Sequence, residues 1–409
     1  MNKPYVLFIS GSIGLGHITR DLAIAREIRK QQPGVDILWL AANPASLVLK
    51  EAGEKLAPES TRYVNESEFA EKSAQGSKLN LISYLIKAKG AWKQNVKVFT
   101  DLVTSQHFDL VIGDETYEIN LALRQFPHLK TFPFVMMYDF VGLDAMTSSP
   151  IEKLGVYIWN RKWSHAYRKH QKPSYDLGLF IGQLDDIPDK TFGLMLPNRR
   201  QFAQTMYKFV GYAFPFEPSS LKNQQALRNN LGYSHEPLII ASIGGTSIGK
   251  ELLDLCADAF SVVRKDIPNL QMVLVAGPRL ATDAFRVPKE IKLRSFVPNL
   301  YEHFAACDLA IVQGGATSTL ELTALQRPFI YFPIEGHSEQ ANVAKVLERL
   351  KAGTRMYLSQ TSPALLARNI SYLLSVKPVY PEIPTDGAQK AAQLIVRLLN
   401  SNRQPTTYA

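Results

Sequence analysis

Cysteine and long apolar runs are scarce in this 409-residue sequence. Only Cys256 and Cys307 occur, outside the spacings of metal-binding or redox pairs, which indicates a reducing compartment. The sequence has no stretch of about 18 consecutive apolar residues, so no transmembrane helix is predicted. The apolar run at residues 5–9 is too short for the core of a signal peptide. We therefore expect a cytoplasmic protein, with peripheral contact to the inner face of the cell membrane left open.

Acidic residues are absent from two basic stretches of the first half. Five lysines lie between residues 73 and 100, at 78, 87, 89, 93 and 97, and six Lys or Arg residues lie between 153 and 175. With a net charge of +9, this distribution favours an anionic partner. Apolar residues among the lysines indicate contact with an anionic membrane surface through 78–97, with a solvated helix face as the alternative. Nucleic acid is disfavoured because no recognition motif accompanies the charge.

Short apolar runs alternate with helical stretches along the whole chain, and this predicts an α/β fold with parallel sheets. Strands are expected at 5–10, 36–41, 108–113, 132–137, 177–182, 237–245, 270–277, 294–297, 308–315 and 329–333. The proline-rich FPFEPSS near residue 216 separates two such series. We expect an N-terminal domain over 1–216, on which a last helix at 387–400 packs back, and a C-terminal domain over 217–386. Two doubly wound, Rossmann-like domains would face each other across a ligand-binding cleft.

The segment 307–345 carries the densest set of candidate binding residues. A strand ends in Gly314 and Gly315, where backbone and hydroxyl groups at the start of the next helix favour a phosphate. Glu321 is placed to accept hydrogen bonds from ribose hydroxyls, and the next helix begins with side chains suited to sugar hydroxyls. The alternative is a plain helix cap with a first-turn acid. The full set is Gly314, Gly315, Thr317, Ser318, Thr319, Glu321, Glu339 and Gln340.

With Pro328 and Pro333 between its two helices, this segment resembles the donor-binding half of GT-B fold glycosyltransferases. It is similar both to UDP-glycosyltransferases and to the MurG-type transferase that adds N-acetylglucosamine to a lipid-linked acceptor. One departure concerns Asn342, which follows Gln340 by two residues where the family often has three, so the sugar that is recognised stays open.

The resemblance extends to other parts of the chain. In GSIGLGHITR it implies that His17 is the catalytic base, and it implies a partner acid at Asp114, although MurG-type relatives lack so clear an acid. A helix cap or a packed side chain is the alternative for His17. The acceptor candidates are Gly16, Arg20 and Asp139, with a plain ion pair as the alternative for Arg20. Further candidates for donor binding are Gly244, Gly245 and Thr246 in a second glycine loop. The resemblance also implies that the backbone of Phe296 or Val297 recognises the nucleotide base, with plain core packing as the alternative.

The resemblance implies an inverting transfer from a UDP-sugar donor to an acceptor hydroxyl, without metal or resident cofactor. The sequence agrees in having no Asp-x-Asp motif. A lipid-linked or glycolipid acceptor suits the basic first half, and a soluble small-molecule natural product is the leading variant. A nucleotide-sugar epimerase and a non-catalytic sugar-binding protein remain open. A dinucleotide oxidoreductase is disfavoured, because Thr19 stands where the third glycine of its fingerprint belongs.

Overall fold

The structure is a computed structural model. It describes residues 3–11, 15–65, 90–244, 249–277, 280 and 285–402, and only the backbone of 74–75, 78–79 and 81–89. The chain forms two compact units. The first comprises 1–69, 81–215 and 384–409, and the second comprises 70–80 and 216–383. The boundary expected after residue 216 lies one residue from the division observed after residue 215.

The first unit is built on a seven-stranded parallel sheet with the order β3-β2-β1-β6-β7-β8-β9. Its inner strands are buried on both faces, which explains their continuous apolar sequences. The strands are Tyr5–Ser10 (β1), Asp36–Ala41 (β2), Lys55–Leu56 (β3), Leu110–Asp114 (β6), Phe134–Tyr138 (β7), Leu177–Ile181 (β8) and Lys208–Gly211 (β9). The antiparallel pair of Ala74–Gln75 (β4) and Lys78–Leu79 (β5) lies outside this sheet, in residues assigned to the second unit.

Helices follow most of these strands. They are Leu15–Gln31 (α1), Ala45–Glu51 (α2), Leu81–Ser105 (α3), Tyr117–Gln125 (α4), Pro150–Trp163 (α5), His165–Arg168 (α6) and Arg199–Met206 (α7). The last helix of the chain, Gly387–Ser401 (α14), belongs to the same unit and packs on α1. Its buried face, which includes Ala391, Ile395 and Leu399, joins Ile18 and Leu22 in one apolar cluster. The end of the chain thus completes the core of the unit in which the chain begins.

The second unit repeats the architecture with a six-stranded parallel sheet, ordered β12-β11-β10-β13-β14-β15. Its strands are Leu238–Ser242 (β10), Gln271–Val275 (β11), Ile291–Arg294 (β12), Leu309–Gln313 (β13), Phe329–Phe332 (β14) and Thr354–Arg355 (β15). Its helices are Gln224–Leu231 (α8), Lys250–Val263 (α9), Leu300–Ala306 (α10), Ala316–Ala324 (α11), Ser338–Arg349 (α12) and Pro363–Leu374 (α13). In both units the strand order reverses beside the first strand, which creates a topological switch point.

The expected strand at 294–297 is displaced. The structure places β12 at Ile291–Arg294, so that Phe296 and Val297 lie in the loop that follows it. Pro298 has no N–H to donate to a neighbouring strand, so the strand cannot continue regularly through that position. Within the described ranges, no helix combines the length and apolarity needed to cross a bilayer.

The packing of α14 on α1 predicts a stability effect. Ile395 is fully buried, and Ile395→Ala should lower the free energy of unfolding by about 2–5 kcal/mol because it leaves a cavity. Arg397→Ala, at an exposed position of the same helix, is the control and should change it by less than about 0.5 kcal/mol. Chemical denaturation measures both. Equal effects would show that α14 is not part of the core.

Candidate active site

The switch point of the first unit brings the start of α1 to the end of β6. Ser10 pairs with Asp114 across β1 and β6, and the N–H of Gly11 donates to the Asp114 carbonyl at 3.2 Å. A Cβ on Gly11 would lie 2.6 Å from that carbonyl oxygen, so only glycine allows this approach. The backbone is thereby held where the first turn of α1 faces the Asp114 side chain. Gly16 is the second residue of that helix.

His17 and Asp114 form a buried hydrogen-bonded pair. Nδ1 of His17 lies 2.8 Å from Oδ2 of Asp114. Arg20 Nη2 lies 2.6 Å from Asp114 Oδ1 and 2.8 Å from the same Nδ1. A guanidinium can only donate, and Nδ1 carries the proton that it donates to Asp114, so Nδ1 cannot accept from Arg20. The hydrogen bond of Arg20 Nη2 is therefore the one to Asp114 Oδ1. This tautomer leaves Nε2 as the ring atom available for proton transfer.

Asp139, at the end of β7, completes the group of charges. Its Oδ2 accepts a hydrogen bond from Arg20 Nη1 at 2.9 Å and lies 3.7 Å from His17 Nε2. Burial favours the neutral form of Asp139, but Arg20 and His17 outweigh it and hold the pKa of that carboxyl below its ordinary value. Arg20 thus ties together the carboxylates at the ends of two neighbouring strands. Both terminal amino groups of Arg20 bond to carboxylates of the first unit. This arrangement corresponds to the ion-pair alternative given for Arg20 in the sequence analysis.

The environment makes His17 more basic than a free imidazole. Burial and the Arg20 guanidinium each lower its pKa, but the Asp114 carboxylate with its hydrogen bond, and Asp139, outweigh them and raise the pKa to about 9. The ring is therefore mainly protonated at neutral pH in the free protein. To act as a base it must first lose this proton, so its neutral fraction grows as the pH rises towards 9.

Two residues of this network, Asp21 and Ser10, escaped the sequence predictions. Asp21 is fully buried on α1, one turn after His17, and its Oδ2 accepts a hydrogen bond from Ser10 Oγ at 2.7 Å. Burial and the nearby Asp114 carboxylate raise the pKa of Asp21 well above its ordinary value. The signal available in the sequence was the spacing of four residues from His17, which places both on one helix face.

The switch point of the second unit lies between β10 and β13. A Cβ on Gly314 would lie 3.0 Å from Cα and Cβ of Pro333, so the close approach of two strand ends explains that glycine. Gly315 has φ −71° and open space around its Cβ position, and neither packing nor backbone conformation explains it. It precedes α11 and provides no side-chain cap, which leaves the first N–H groups of that helix to a ligand.

The side chains after Gly315 divide into two sets. Thr317 and Ser318 are half-buried, whereas Thr319 is buried and its hydroxyl donates to the Gly315 carbonyl at 2.8 Å. Glu321 is 4% exposed, no other described residue hydrogen-bonds to its carboxyl group, and burial raises its pKa to about 8. On α12, Gln340 Oε1 accepts from the Ile334 N–H at 2.7 Å. This hydrogen bond holds the loop before α12 against the helix.

Comparison with known proteins matches part of the chain to a glycosyltransferase family. Residues 239–398 match the family model described as the glycosyltransferase family 28 C-terminal domain. We call this matched part of the chain, residues 239–398, the family 28 domain. The chain is also 24% identical, over 97% of its length and 99% of the relative's, to a UDP-N-acetylglucosamine–N-acetylmuramyl-(pentapeptide) pyrophosphoryl-undecaprenol N-acetylglucosamine transferase from a Thermoanaerobacter strain.

Solved structures show the same fold. Acinetobacter baumannii MurG matches with a TM-score of 0.51 and 16% identity, over 97% of this chain and 99% of the other. The Streptomyces glycosyltransferase SsfS6, in complex with thymidine diphosphate, matches with a TM-score of 0.54 and 15% identity, over 96% and 99%. With the two parallel sheets, these likenesses confirm the predicted α/β GT-B fold. The family 28 match and the full-length relative confirm the glycosyltransferase resemblance stated from the sequence.

The binding and catalytic roles predicted for the site residues of both units, and for the basic helix, stay predictions. Gly244 has φ +77°, which favours glycine, but Gly245 and Thr246 lie outside the described residues. Glu339 occupies the first turn of α12, and His337, which was not predicted, caps that helix by accepting from the Gln340 N–H at 3.4 Å. The side chains of 78–89 are not described, so membrane contact through 78–97 stays a prediction.

Titration of His17 tests the charge network. Nuclear magnetic resonance of its imidazole should give a pKa near 9 in the free protein, and Asp114→Asn should lower it. Because this value exceeds the ordinary 6.5, the contribution of His17 to stability is complete below pH 6.5 and is lost as the pH rises through about 9. Asp176→Asn, beside Lys130, is the control and should leave the titration unchanged. A wild-type pKa of 6.5 or below would contradict the network.

Proposed function

We propose that this protein is an inverting glycosyltransferase that moves a sugar from a nucleotide-diphosphate donor to an acceptor hydroxyl. The His17–Asp114 pair carries the proposal, because it joins a titratable base to a carboxylate that fixes its tautomer. The family 28 domain supports the choice of a nucleotide sugar. We assign a UDP-linked donor and a lipid-linked acceptor, following the name of the full-length relative.

In the proposed reaction, Nε2 of His17 takes the proton of the acceptor hydroxyl. The acceptor oxygen bonds to the anomeric carbon from the side opposite the nucleotide, and the bond from that carbon to the diphosphate oxygen breaks. The electron pair leaves on the diphosphate, and the configuration at the anomeric carbon inverts. Asp114 stabilises the imidazolium that forms, as an ionised carboxylate next to Nδ1–H.

The family 28 domain would bind the donor through the start of α11. The N–H groups after Gly315 and the hydroxyls of Thr317 and Ser318 offer donors to the diphosphate, and the helix dipole favours its negative charge. Glu321 would accept hydrogen bonds from the ribose hydroxyls. These groups supply the charge stabilisation that a metal provides in other transferases, so the proposed reaction includes no metal and no resident cofactor.

Arg20 and Asp139 would act as positioning residues. Arg20 holds Asp114 at the distance that keeps Nδ1 of His17 bonded, and its positive charge limits the basicity of the ring. Asp139 holds the other end of the guanidinium. A base with a pKa near 9 gives a clear signature, since the transfer rate should rise with pH until His17 is deprotonated.

Replacement of His17 separates catalysis from binding. His17→Ala should lower kcat by on the order of 10²- to 10⁴-fold while UDP still stabilises the protein against thermal unfolding. Release of nucleoside diphosphate from a panel of nucleotide sugars, with and without lipid-linked acceptor, measures the reaction. His128→Ala, at an exposed histidine, is the control. Turnover that survives His17→Ala would remove the proposed base, and failure of every UDP-sugar would remove the donor assignment.

Gly315 tests the donor site without disturbing the fold. The methyl group added by Gly315→Ala would have open space around it, and the backbone φ at this position suits alanine. The unfolding midpoint of the variant should therefore not fall. The added methyl group should nevertheless weaken UDP binding by about tenfold or more, a loss of roughly 1.4 kcal/mol, because it crowds the diphosphate. Gly90→Ala, also without a neighbour, is the matched control. Unchanged affinity, measured by calorimetry, would place the diphosphate elsewhere.

A further inference from the structure

Glu115, the residue after Asp114 at the end of β6, is not used in the reaction proposed above. Its backbone is left-handed, with φ +52°, a conformation that is rare outside glycine and that clusters at functional sites. Two hydrogen bonds hold it. The Glu115 N–H donates to the Met137 carbonyl at 3.2 Å, and the Glu115 carbonyl accepts from the Tyr117 N–H at 2.8 Å. Glu115 is only 5% exposed, so its carboxyl group must find its partners inside the protein.

One partner of the Glu115 carboxyl group is the carboxyl group of Asp139, which lies within hydrogen-bond distance of it. Asp139 Oδ2 accepts from Arg20, whereas Asp139 Oδ1 is buried and accepts from no N–H or hydroxyl group of the described residues. An ionised carboxylate can only accept, so a hydrogen bond between two carboxyl groups requires a proton on one of them. Arg20 and His17 hold Asp139 in its ionised form in spite of its burial. The proton is therefore expected on Glu115.

The second partner of Glu115 is the Tyr117 hydroxyl, which donates to Glu115 Oε1 at 3.2 Å. Burial raises the pKa of Tyr117 and that of the neighbouring Tyr138 well above the ordinary value, so both phenols stay neutral. With Oε1 accepting from Tyr117, the other carboxyl oxygen of Glu115 is the one that can carry a proton and donate it to Asp139.

The charges around Glu115 balance without a charge on Glu115 itself. Arg20 and protonated His17 carry two positive charges, and Asp114 and Asp139 carry two negative charges. Burial and the Asp114 carboxylate raise the pKa of Asp21, which favours its neutral form. Among the described residues, the titratable groups that face this site from α1, β6, β7 and α4 are His17, Arg20, Asp21, Asp114, Tyr117, Tyr138 and Asp139. An ionised Glu115 beside Asp139 would add a negative charge that none of them compensates.

We propose that Glu115 is a protonated carboxylic acid at neutral pH, that it donates its proton in a hydrogen bond to Asp139 Oδ1, and that it acts as a positioning residue for His17. The carboxyl pair then carries one negative charge, and Asp139 Oδ2 is held 3.7 Å from His17 Nε2. A second negative charge so near would strengthen the hold of His17 on its proton, and the base would become neutral only at a higher pH. This role rests on the proposed function because it concerns His17 as the base, whereas the shared proton does not depend on sugar transfer.

Titration of His17 by nuclear magnetic resonance tests the shared proton. Glu115→Gln replaces a neutral acid by a neutral amide that can still donate to Asp139, so the midpoint of His17 should stay at the wild-type value. In Asp139→Asn the ionised partner is lost, and Glu115 can ionise in its place. Adding Glu115→Gln in that background should therefore lower the midpoint by about one pH unit.

The comparison of the two backgrounds decides the outcome. One substitution with unequal effects in two backgrounds is the signature of a coupled pair. A fall of about one pH unit on Glu115→Gln in the wild-type background would show that Glu115 is ionised, and would overturn the proposal. Equal effects in the two backgrounds, whether large or absent, would overturn it as well.

Infrared difference spectroscopy observes the proton directly. The carbonyl stretch of a protonated carboxyl group is separate from the stretch of an ionised one, and Glu115→Gln should remove one protonated band at neutral pH. Glu51→Gln, at an exposed glutamate of α2, is the matched control and should remove none. The proposal fails if wild type and Glu115→Gln have the same protonated bands. Neither measurement uses a nucleotide sugar, so a failure of the proposed sugar transfer is seen separately, in the assay with His17→Ala.

Discussion

The Arg20 guanidinium lies between two carboxylates, and the geometry of the N-terminal site depends on these ion pairs. It bonds to Asp114 at 2.6 Å and to Asp139 at 2.9 Å, and all three side chains are nearly inaccessible to solvent. Loss of this cation would leave two buried carboxylates uncompensated, which costs several kcal/mol in comparable cases. It would also make His17 more basic, because Arg20 lowers the pKa of that ring. One buried side chain therefore supports both the local packing and the protonation state of His17.

The two units reach comparable sites by different chemistry. Each has a parallel sheet whose strand order reverses, and in each a glycine lets two strand ends or loops approach closely, Gly11 against Asp114 and Gly314 against Pro333. The first unit fills its switch point with titratable side chains. At its switch point the family 28 domain instead has the backbone N–H groups at the start of α11 and Gly315, a glycine that packing does not explain. The first arrangement suits proton transfer, and the second suits an anionic leaving group.

Much of the fold follows from local sequence pattern. Inner strands such as Tyr5–Ser10 and Leu238–Ser242 are continuous apolar runs because both of their faces are covered, and their positions match the predictions within a few residues. Elements with weaker patterns were displaced or missed. The edge strand Ile291–Arg294 has one buried, one half-buried and two exposed residues, and α5 carries three aliphatic residues on its exposed side. Periodicity alone cannot show that such a helix side faces solvent.

The sequence by itself determined the parallel α/β architecture, the glycine turns and the choice of His17, Asp114 and the residues at 314–321 as candidates. The architecture and the turns follow from residue types at short spacings, where backbone sterics and hydrogen bonding act, whereas the roles of His17 and Asp114 are those that the resemblance to GT-B glycosyltransferases implies. Only the tertiary structure showed that Arg20 joins Asp114 to Asp139, that Asp21 and Ser10 lie behind His17, and that the Glu115 and Asp139 carboxyl groups lie within hydrogen-bond distance. These contacts join residues up to 119 positions apart, and burial sets their charge states. Neither the distances nor the dielectric surroundings of such groups can be obtained from spacing along the chain.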